Sequence, residues 1–433
     1  MSDAGGTRTI EVDYIARVEG EGALYIRTEG DRVEDCQLRI FEPPRFFEGL
    51  LRGRAYTEAP DITARICGIC PIAYIMSASH AMEDVAGVRV GGALRELRRL
   101  IYCGEWIESH VLHIYMLHLP DFLGYPDAVT LAKDRPETVR RALRLKKAGN
   151  SLMRCIGGRE VHPVNLRVGG FYRAPSRAEL DALVPELEWA LGAALETVAL
   201  VQTLDFPDFE ADYEFMALRH PEEYPFNEGR LCSTGGVDVP VSRYDEVLSE
   251  AHLAHTTALQ SRNAEGQPVM MGPMARYALN RDRLTPRARR AADDAGLGEA
   301  CRNPFRSIVV RAVEVVFALE EALRIIRAYE PPADACVPVG PTAGTGYGAT
   351  EAPRGICYHR YRTDGDGIIR DAKIVAPTSV NQARIEADLR ALVEPNLALD
   401  DTALQALCEQ AIRNYDPCIS CSTHFLDLRL ERR

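Results

Sequence analysis

The chain has no apolar run long enough to cross a bilayer. Its longest stretch without Asp, Glu, Lys or Arg runs from Ile66 to Met82 and is interrupted by Pro71 and His80, whereas a spanning helix needs about 20 apolar residues. The first residues, Met1 to Asp13, are polar and carry no hydrophobic segment of the export type, so a soluble, cytoplasmic protein without membrane insertion is expected. Basic charge is in deficit, with 51 Lys and Arg against 63 Asp and Glu and a net charge of −12. Such a chain has no whole-molecule attraction to nucleic acid or anionic lipid. It also lacks internal repeats and low-complexity linkers, so nothing cuts its 433 residues into independent units. The hydrophobic share of 46% is ordinary for a globular protein and ample for a real core.

Eight of the twelve cysteines are scattered singly, at positions 36, 103, 155, 232, 301, 336, 357 and 408. In a reducing compartment single cysteines behave as small buried hydrophobes. The other four form two C-x-x-C pairs, Cys67/Cys70 and Cys418/Cys421.

Hydrophobic periodicity gives an α+β fold: a small N-terminal β-sheet, a bundle of long helices and a short β-hairpin. Alternation with Gly-containing turns predicts strands at 9–16, 23–28 and 33–41. A 3.6-residue stripe through Leu94, Leu97, Ile101, Ile107, Val111 and Ile114 predicts a helix. Similar stripes predict helices near 136–156, 177–201, 243–260, 305–329 and 384–414. One unit over 1–433 is expected: a β-rich part at 1–60, the helical bundle at 61–330, and loop, hairpin and C-terminal helix at 331–433. The run Gly344-Thr345-Gly346-Tyr347-Gly348-Ala349 has some likeness to a dinucleotide turn, but no apolar strand precedes it and proline flanks it. It reads as a loop.

Both cysteine pairs are read at helix starts. Pro71 suits a first helical position, which makes Cys70 an N-cap; Asp416 and Pro417 suggest the same for the second pair. Exposed N–H groups there favour the thiolate, the form that binds metal. Two pairs could supply four thiolates to one ion. On spacing alone, structural zinc is as good a reading as any other metal.

The context of the pairs resembles the large, catalytic subunit of nickel–iron hydrogenases. The family's R-x-C-G-x-C stands at Arg65 to Cys70 and its D-P-C-x-x-C-x-x-H at Asp416 to His424. Supporting motifs follow in family order: Arg17-Val18-Glu19-Gly20, Arg45-Phe46-Phe47-Glu48, His110-x-x-His113, Gly157-Gly158-Arg159 with His162-Pro163, Glu351-Ala352-Pro353-Arg354-Gly355 and Pro377-Thr378. The resemblance covers essentially the whole chain and looks most like the cytoplasmic, NAD(P)-linked or sulfhydrogenase-type branch.

The resemblance implies reversible H2 oxidation at a centre of nickel and iron held by Cys67, Cys70, Cys418 and Cys421, with Cys70 and Cys421 bridging. It implies carbon monoxide and cyanide on the iron, in a pocket lined by Pro353 and Thr378. Glu19 becomes a proton relay beside Cys418, itself a plausible first base, and Arg354 a guanidinium over the metals. Glu48, His424 and the backbone carbonyl of Ile374 would surround magnesium or a second iron. His110 and His113 are read as core residues rather than ligands. Two positions depart from relatives, Tyr74 where many carry His and Ser109 where membrane-associated enzymes carry Asp.

No third cysteine cluster and no convincing nucleotide site exist in the chain. An iron–sulfur small subunit is therefore implied, with flavin- and NAD(P)-binding and further iron–sulfur subunits beyond it. The family also implies a maturation endopeptidase that cuts after His424, making Phe425 to Arg433 a removable tail; a short permanent helix is the other reading of that segment. Readings from other classes are a non-catalytic scaffold of the complex I type and a structural zinc protein.

Overall fold

The computed structural model describes residues 7–423. The fold is α+β. Strands β1 (Thr7–Val12), β2 (Gly22–Glu29) and β3 (Arg32–Ile40) form an antiparallel meander in that order. On β2, Leu24, Ile26 and Thr28 face inward and alternate with half-buried residues, the period-two pattern of a sheet with one covered face. The short helix α1 (Phe47–Leu51) follows.

The helical body is built from α2 (Pro71–Ala86), α3 (Gly92–Leu112), α4 (Pro136–Gly157), α5 (Val184–Val201) and α6 (Pro273–Asn280) with α7 (Ser307–Ala328). α2 starts at Pro71, whose missing N–H costs nothing in a first turn, and stops at Gly87 in the left-handed conformation, φ 66°. α3 runs into a π-helical turn, His113–His118. Among the described residues no helix is long and apolar enough to cross a membrane.

Several boundaries differ from the sequence expectation, each for a tertiary reason. Of the segment read as a helix near 243–260, only the single turn Tyr244–Val247 is helical; the rest belongs to a hairpin of β4 (Leu248–His252) and β5 (Leu259–Asn263). It is fastened from outside: Thr257 N donates to Ile40 O at 2.7 Å, and His255 and Gln260 both reach Glu386. Packing overrides a weak helical stripe there. The loop read at 344–349 belongs to a strand, β6 (Gly344–Ala352), which pairs with β7 (Gly355–Thr363) and then β8 (Ile369–Val375). Its glycines let the strand lie directly on α2. A Cβ at Gly346 would stand 2.0 Å from Ala81 O, and one at Gly348 would stand 2.1 Å from Ser77 O.

The last long stripe is split into α8 (Pro377–Val393) and α9 (Asp401–Arg413), the latter capped by Asp400. The 177–201 stripe likewise breaks before α5. The chain ends, as far as described, in the short helix α10 (Ile419–Ser422). Asp416 is not its cap: it adopts φ 52°, and Cys418 takes the N-cap position.

Candidate metal centre

Two helix starts meet at one buried point. Cys70 is the N-cap residue of α2, and Cys67 stands just before it, its Sγ accepting from Ile69 N at 3.3 Å. Cys418 caps α10 and Cys421 lies within it. All four cysteines are at most 3% exposed, and their sulfurs lie within 4.8 Å of one another. The cross-pair approaches are 3.4 Å for Cys67–Cys418 and 3.5 Å for Cys70–Cys421. They form the metal-capable group found among the described residues.

The electrostatics of this cluster call for a cation. Hydrogen bonds from Cys418, Cys421 and Cys70 hold the Cys67 thiol well below its ordinary range. Burial pushes the Cys418 and Cys421 thiols up. One thiolate is thus stabilised by its neighbours while further ionisation is opposed, and a soft metal ion reverses that opposition. Sulfur geometry of this kind suits zinc as well as nickel.

The surrounding side chains distinguish the site from a plain structural one. Glu19 is half buried, and its Oε2 lies 3.2 Å from Cys418 Sγ while accepting Ser420 N–H at 3.0 Å. Its backbone carbonyl accepts from Ile419 N at 2.9 Å, so the N-terminal segment and α10 are stitched together. Burial raises the Glu19 pKa, and the Cys67 charge adds to that. On the other side of Ser420, its Oγ donates to Glu42 Oε1 at 2.9 Å.

Arg354 is 2% exposed. Its Nε donates to Asp416 O at 2.6 Å, Nη2 to Asp416 Oδ1 at 3.0 Å and Nη1 to Ser109 Oγ at 3.3 Å. The departure at Ser109 therefore leaves a hydroxyl where a carboxylate would have made a second ion pair. Thr378, in the first turn of α8, accepts Cys418 N–H at its Oγ1, 3.0 Å away. Pro353 is buried next to Arg354. Tyr74, the other departure, donates its hydroxyl to Cys421 O at 3.4 Å.

Glu48 and Ile374 also come together, at a second station. Glu48 Oε1 accepts the Ile374 N–H at 2.7 Å. Burial pushes the Glu48 carboxyl up to about 7, a poorly solvated group that a cation would suit. His424 and the tail after it lie outside the described residues. His110 and His113 are core residues: His110 Nε2 meets Glu314 Oε2 at 2.9 Å, and His113 Nε2 meets Arg413 O at 2.7 Å.

Sequence reasoning missed three supports. Asp416 is the buried partner of Arg354 rather than a helix cap. Arg45, quoted only as part of a motif, donates to Ile66 O at 2.7 Å and to Ser420 O, bracing both cysteine segments. Glu105, fully buried on α3, accepts Ile72 N–H at 2.6 Å and so caps the helix that begins after Cys70. A signal for Glu105 existed: it falls four residues after Ile101, on the apolar face.

A family model described as nickel-dependent hydrogenase matches residues 45–142 and 257–424. The chain is 33% identical to sulfhydrogenase 1 subunit alpha of Pyrococcus furiosus over 430 residues, covering 97% of this chain and 98% of that protein. It is 26% identical to the NAD-reducing hydrogenase HoxS subunit beta of Cupriavidus necator, covering 97% and 95%. Its fold is similar to that of an NAD+-reducing [NiFe]-hydrogenase in the H2-reduced state, with a TM-score of 0.89, 26% identity and coverage of 96% and 99%. A reduced, active nickel–iron–selenium hydrogenase from Desulfomicrobium baculatum shares the fold at a TM-score of 0.81 and 21% identity, with coverage of 96% and 100%.

Proposed function

We propose a catalytic role from a plain premise: the chain belongs to the nickel-dependent hydrogenase family. It is a hydrogenase large subunit, an oxidoreductase that interconverts H2 with protons and electrons at a nickel–iron centre. The reading extends to each residue. Cys67, Cys70, Cys418 and Cys421 would hold the nickel and the iron, the latter carrying carbon monoxide and cyanide. When bound, the centre supplies Lewis acidity that makes H2 acidic enough to split heterolytically.

The chain's own groups then handle charge and protons. Cys418 Sγ receives the first proton, and Glu19 Oε2, 3.2 Å away, takes it onward. That distance is at the outer edge of the range for direct proton transfer. Ser420 lies between Glu19 and Glu42, which makes Glu42 the next carboxylate outward. Arg354, anchored by Asp416, keeps a fixed positive charge beside the thiolates. Pro353, buried, and Thr378, bonded to Cys418 N, would line the pocket of the diatomic ligands. Glu48, the backbone carbonyl of Ile374 and His424 would be the ligands of magnesium or a second iron.

Electrons leave toward an iron–sulfur partner subunit, and beyond it to flavin- and NAD(P)-binding subunits, in the cytoplasm. The proposed exit face lies at Cys67, which is followed by exposed Gly68, itself beside Val161, 53% exposed. An endopeptidase removes Phe425 to Arg433 once the metals are loaded. The observation that carries the reading is a carboxylate set against one of four convergent buried thiols. Metal analysis with H2-driven dye reduction tests it: nickel and iron in comparable amounts with turnover are expected, and zinc alone without turnover would reject it. The intact mass of active enzyme should end at His424; full activity in a subunit ending at Arg433 would remove the processing step.

A further inference from the structure

Pro353 and Arg354 form the two-residue connection between β6 and β7. A hairpin tip is ordinarily the loosest part of a sheet, exposed and hydrated. This one is buried, so its backbone carbonyls cannot turn to water and must find partners inside the protein. They find them in side chains. Glu351 O accepts from Trp106 Nε1 at 3.0 Å. Ala352 O and Pro353 O each accept from Arg276 at 2.8 Å, through Nη1 and Nη2 respectively. Arg354 O accepts from Asn381 Nδ2 at 3.3 Å.

Arg276, on α6, is fully buried and uses its whole fork. Nε and Nη2 donate to the two oxygens of Glu314 at 2.8 Å each, and Nη1 also reaches Glu351 Oε2 at 3.0 Å. Five N–H donors thus meet five acceptors, the full capacity of a guanidinium. Its charge is balanced by the Glu314 carboxylate, and its Cζ lies 4.2 Å from the Trp106 ring centroid. A core ion pair would need only the Glu314 half of this arrangement. The other half points at the carbonyls immediately before Arg354.

We infer that Arg276 is a positioning residue that clamps the Ala352-Pro353 backbone and thereby fixes where the Arg354 guanidinium stands beside the thiols. For its rate readout this rests on the hydrogenase reading above. Arg354 in turn holds Asp416, two residues before Cys418, so slack at the tip is passed to the site from two sides. Lysine cannot replace the clamp, because an ammonium offers three donors from one point rather than a planar fork.

The experiment compares the wild-type full-length protein with Arg276→Lys, purified with the subunits that accompany it. Backbone hydrogen exchange is followed by peptide, with metal content, kcat and KM for H2 alongside. Exchange at Ala352, Arg354 and Gly355 is expected to quicken by about tenfold or more while α7 keeps its wild-type protection. Metal content and KM should hold and kcat should fall by between about ten- and a hundredfold, the scale of a small misplacement of a charged group. Wild-type exchange at the tip would overturn the inference. So would loosening that spreads through α7, since Arg276 would then serve only Glu314, or a loosened tip with unchanged kcat. Should Arg276→Lys not fold, Trp106→Phe keeps the ring face but drops the bond to Glu351 O. Its expected effect is a change at the tip no larger than about twofold, because Arg276 still holds Ala352 O and Pro353 O; a tip loosened by about tenfold or more would show that Trp106 rather than Arg276 is the clamp and overturn the inference. Exchange needs no turnover, so a failed hydrogenase reading would show as an inactive wild type while the clamp is still decided.

Discussion

Replacing Glu19 by glutamine separates proton carriage from architecture. The side chain keeps its length, and the amide oxygen can still accept Ser420 N–H, now 3.0 Å from Oε2. The backbone bond from Ile419 N to Glu19 O, 2.9 Å, does not depend on the side chain. What disappears is the capacity to take a proton at 3.2 Å from Cys418 Sγ and release it. A positioned acid–base group contributes about 10²–10⁴ in rate, or about 3–6 kcal/mol of barrier at about 1.4 kcal/mol per decade. Stability should move far less, by roughly 1 kcal/mol or below, because burial already disfavours the Glu19 charge and the amide is neutral. H2-driven dye reduction and deuterium exchange of H2 with solvent should therefore drop by two to four decades. Nickel and iron content and the unfolding midpoint should stay near wild type. Solvent exchange at the wild-type rate in a fully metallated variant would refute the relay. Loss of the metals would instead make Glu19 an assembly residue.

Cys421→Ala should lose nickel, iron and all H2 activity while far-UV circular dichroism stays close to wild type, because α10 is a single turn among long helices; retained metal and turnover would reject the ligand assignment. Asp416→Ala leaves the buried Arg354 guanidinium without its carboxylate, which typically costs about 3–5 kcal/mol, and denaturant unfolding with an unchanged midpoint would contradict it. His110 is held neutral, its pKa depressed by burial to about 4 from an ordinary 6.5. The unfolded chain takes up this proton first as pH falls, so the associated stability is complete above about 6.5 and is lost between about 6.5 and 4. The shift is worth about 3 kcal/mol, and His110→Gln should flatten the wild-type loss of stability across that window.

The terminal cysteine motifs were legible because their chemistry is written in local spacing. The helix starting at Pro71 was legible for the same reason: proline suits a first turn, and an apolar helical run follows it. The hairpin at 248–263 was not, because its strands are decided by Ile40 and Glu386, residues far away in sequence. The strand at Gly344–Ala352 hid behind its glycines, which in a sequence signal a loop and in the fold permit a helix to lie against bare backbone. Asp416 was misread because Asp-Pro ordinarily announces a helix cap; here its carboxylate is taken by Arg354, whose position no spacing rule reveals. The roles of Glu105 and Arg45 depend on carbonyls and amides of other segments, which carry no side-chain signature at all.

The contact between β6 and α2 has a mechanical consequence. Side chains usually act as a compliant layer between a strand and a helix, since rotamers can shift to absorb small displacements. At Gly346 and Gly348 that layer is missing, and the two backbones bear on each other directly. The helix whose first turn follows Cys70 and the strand that ends one turn before Arg354 are therefore joined as a single stiff piece. Thermal motion of the thiol and of the guanidinium should be correlated rather than independent, and their separation should vary less than either position does alone.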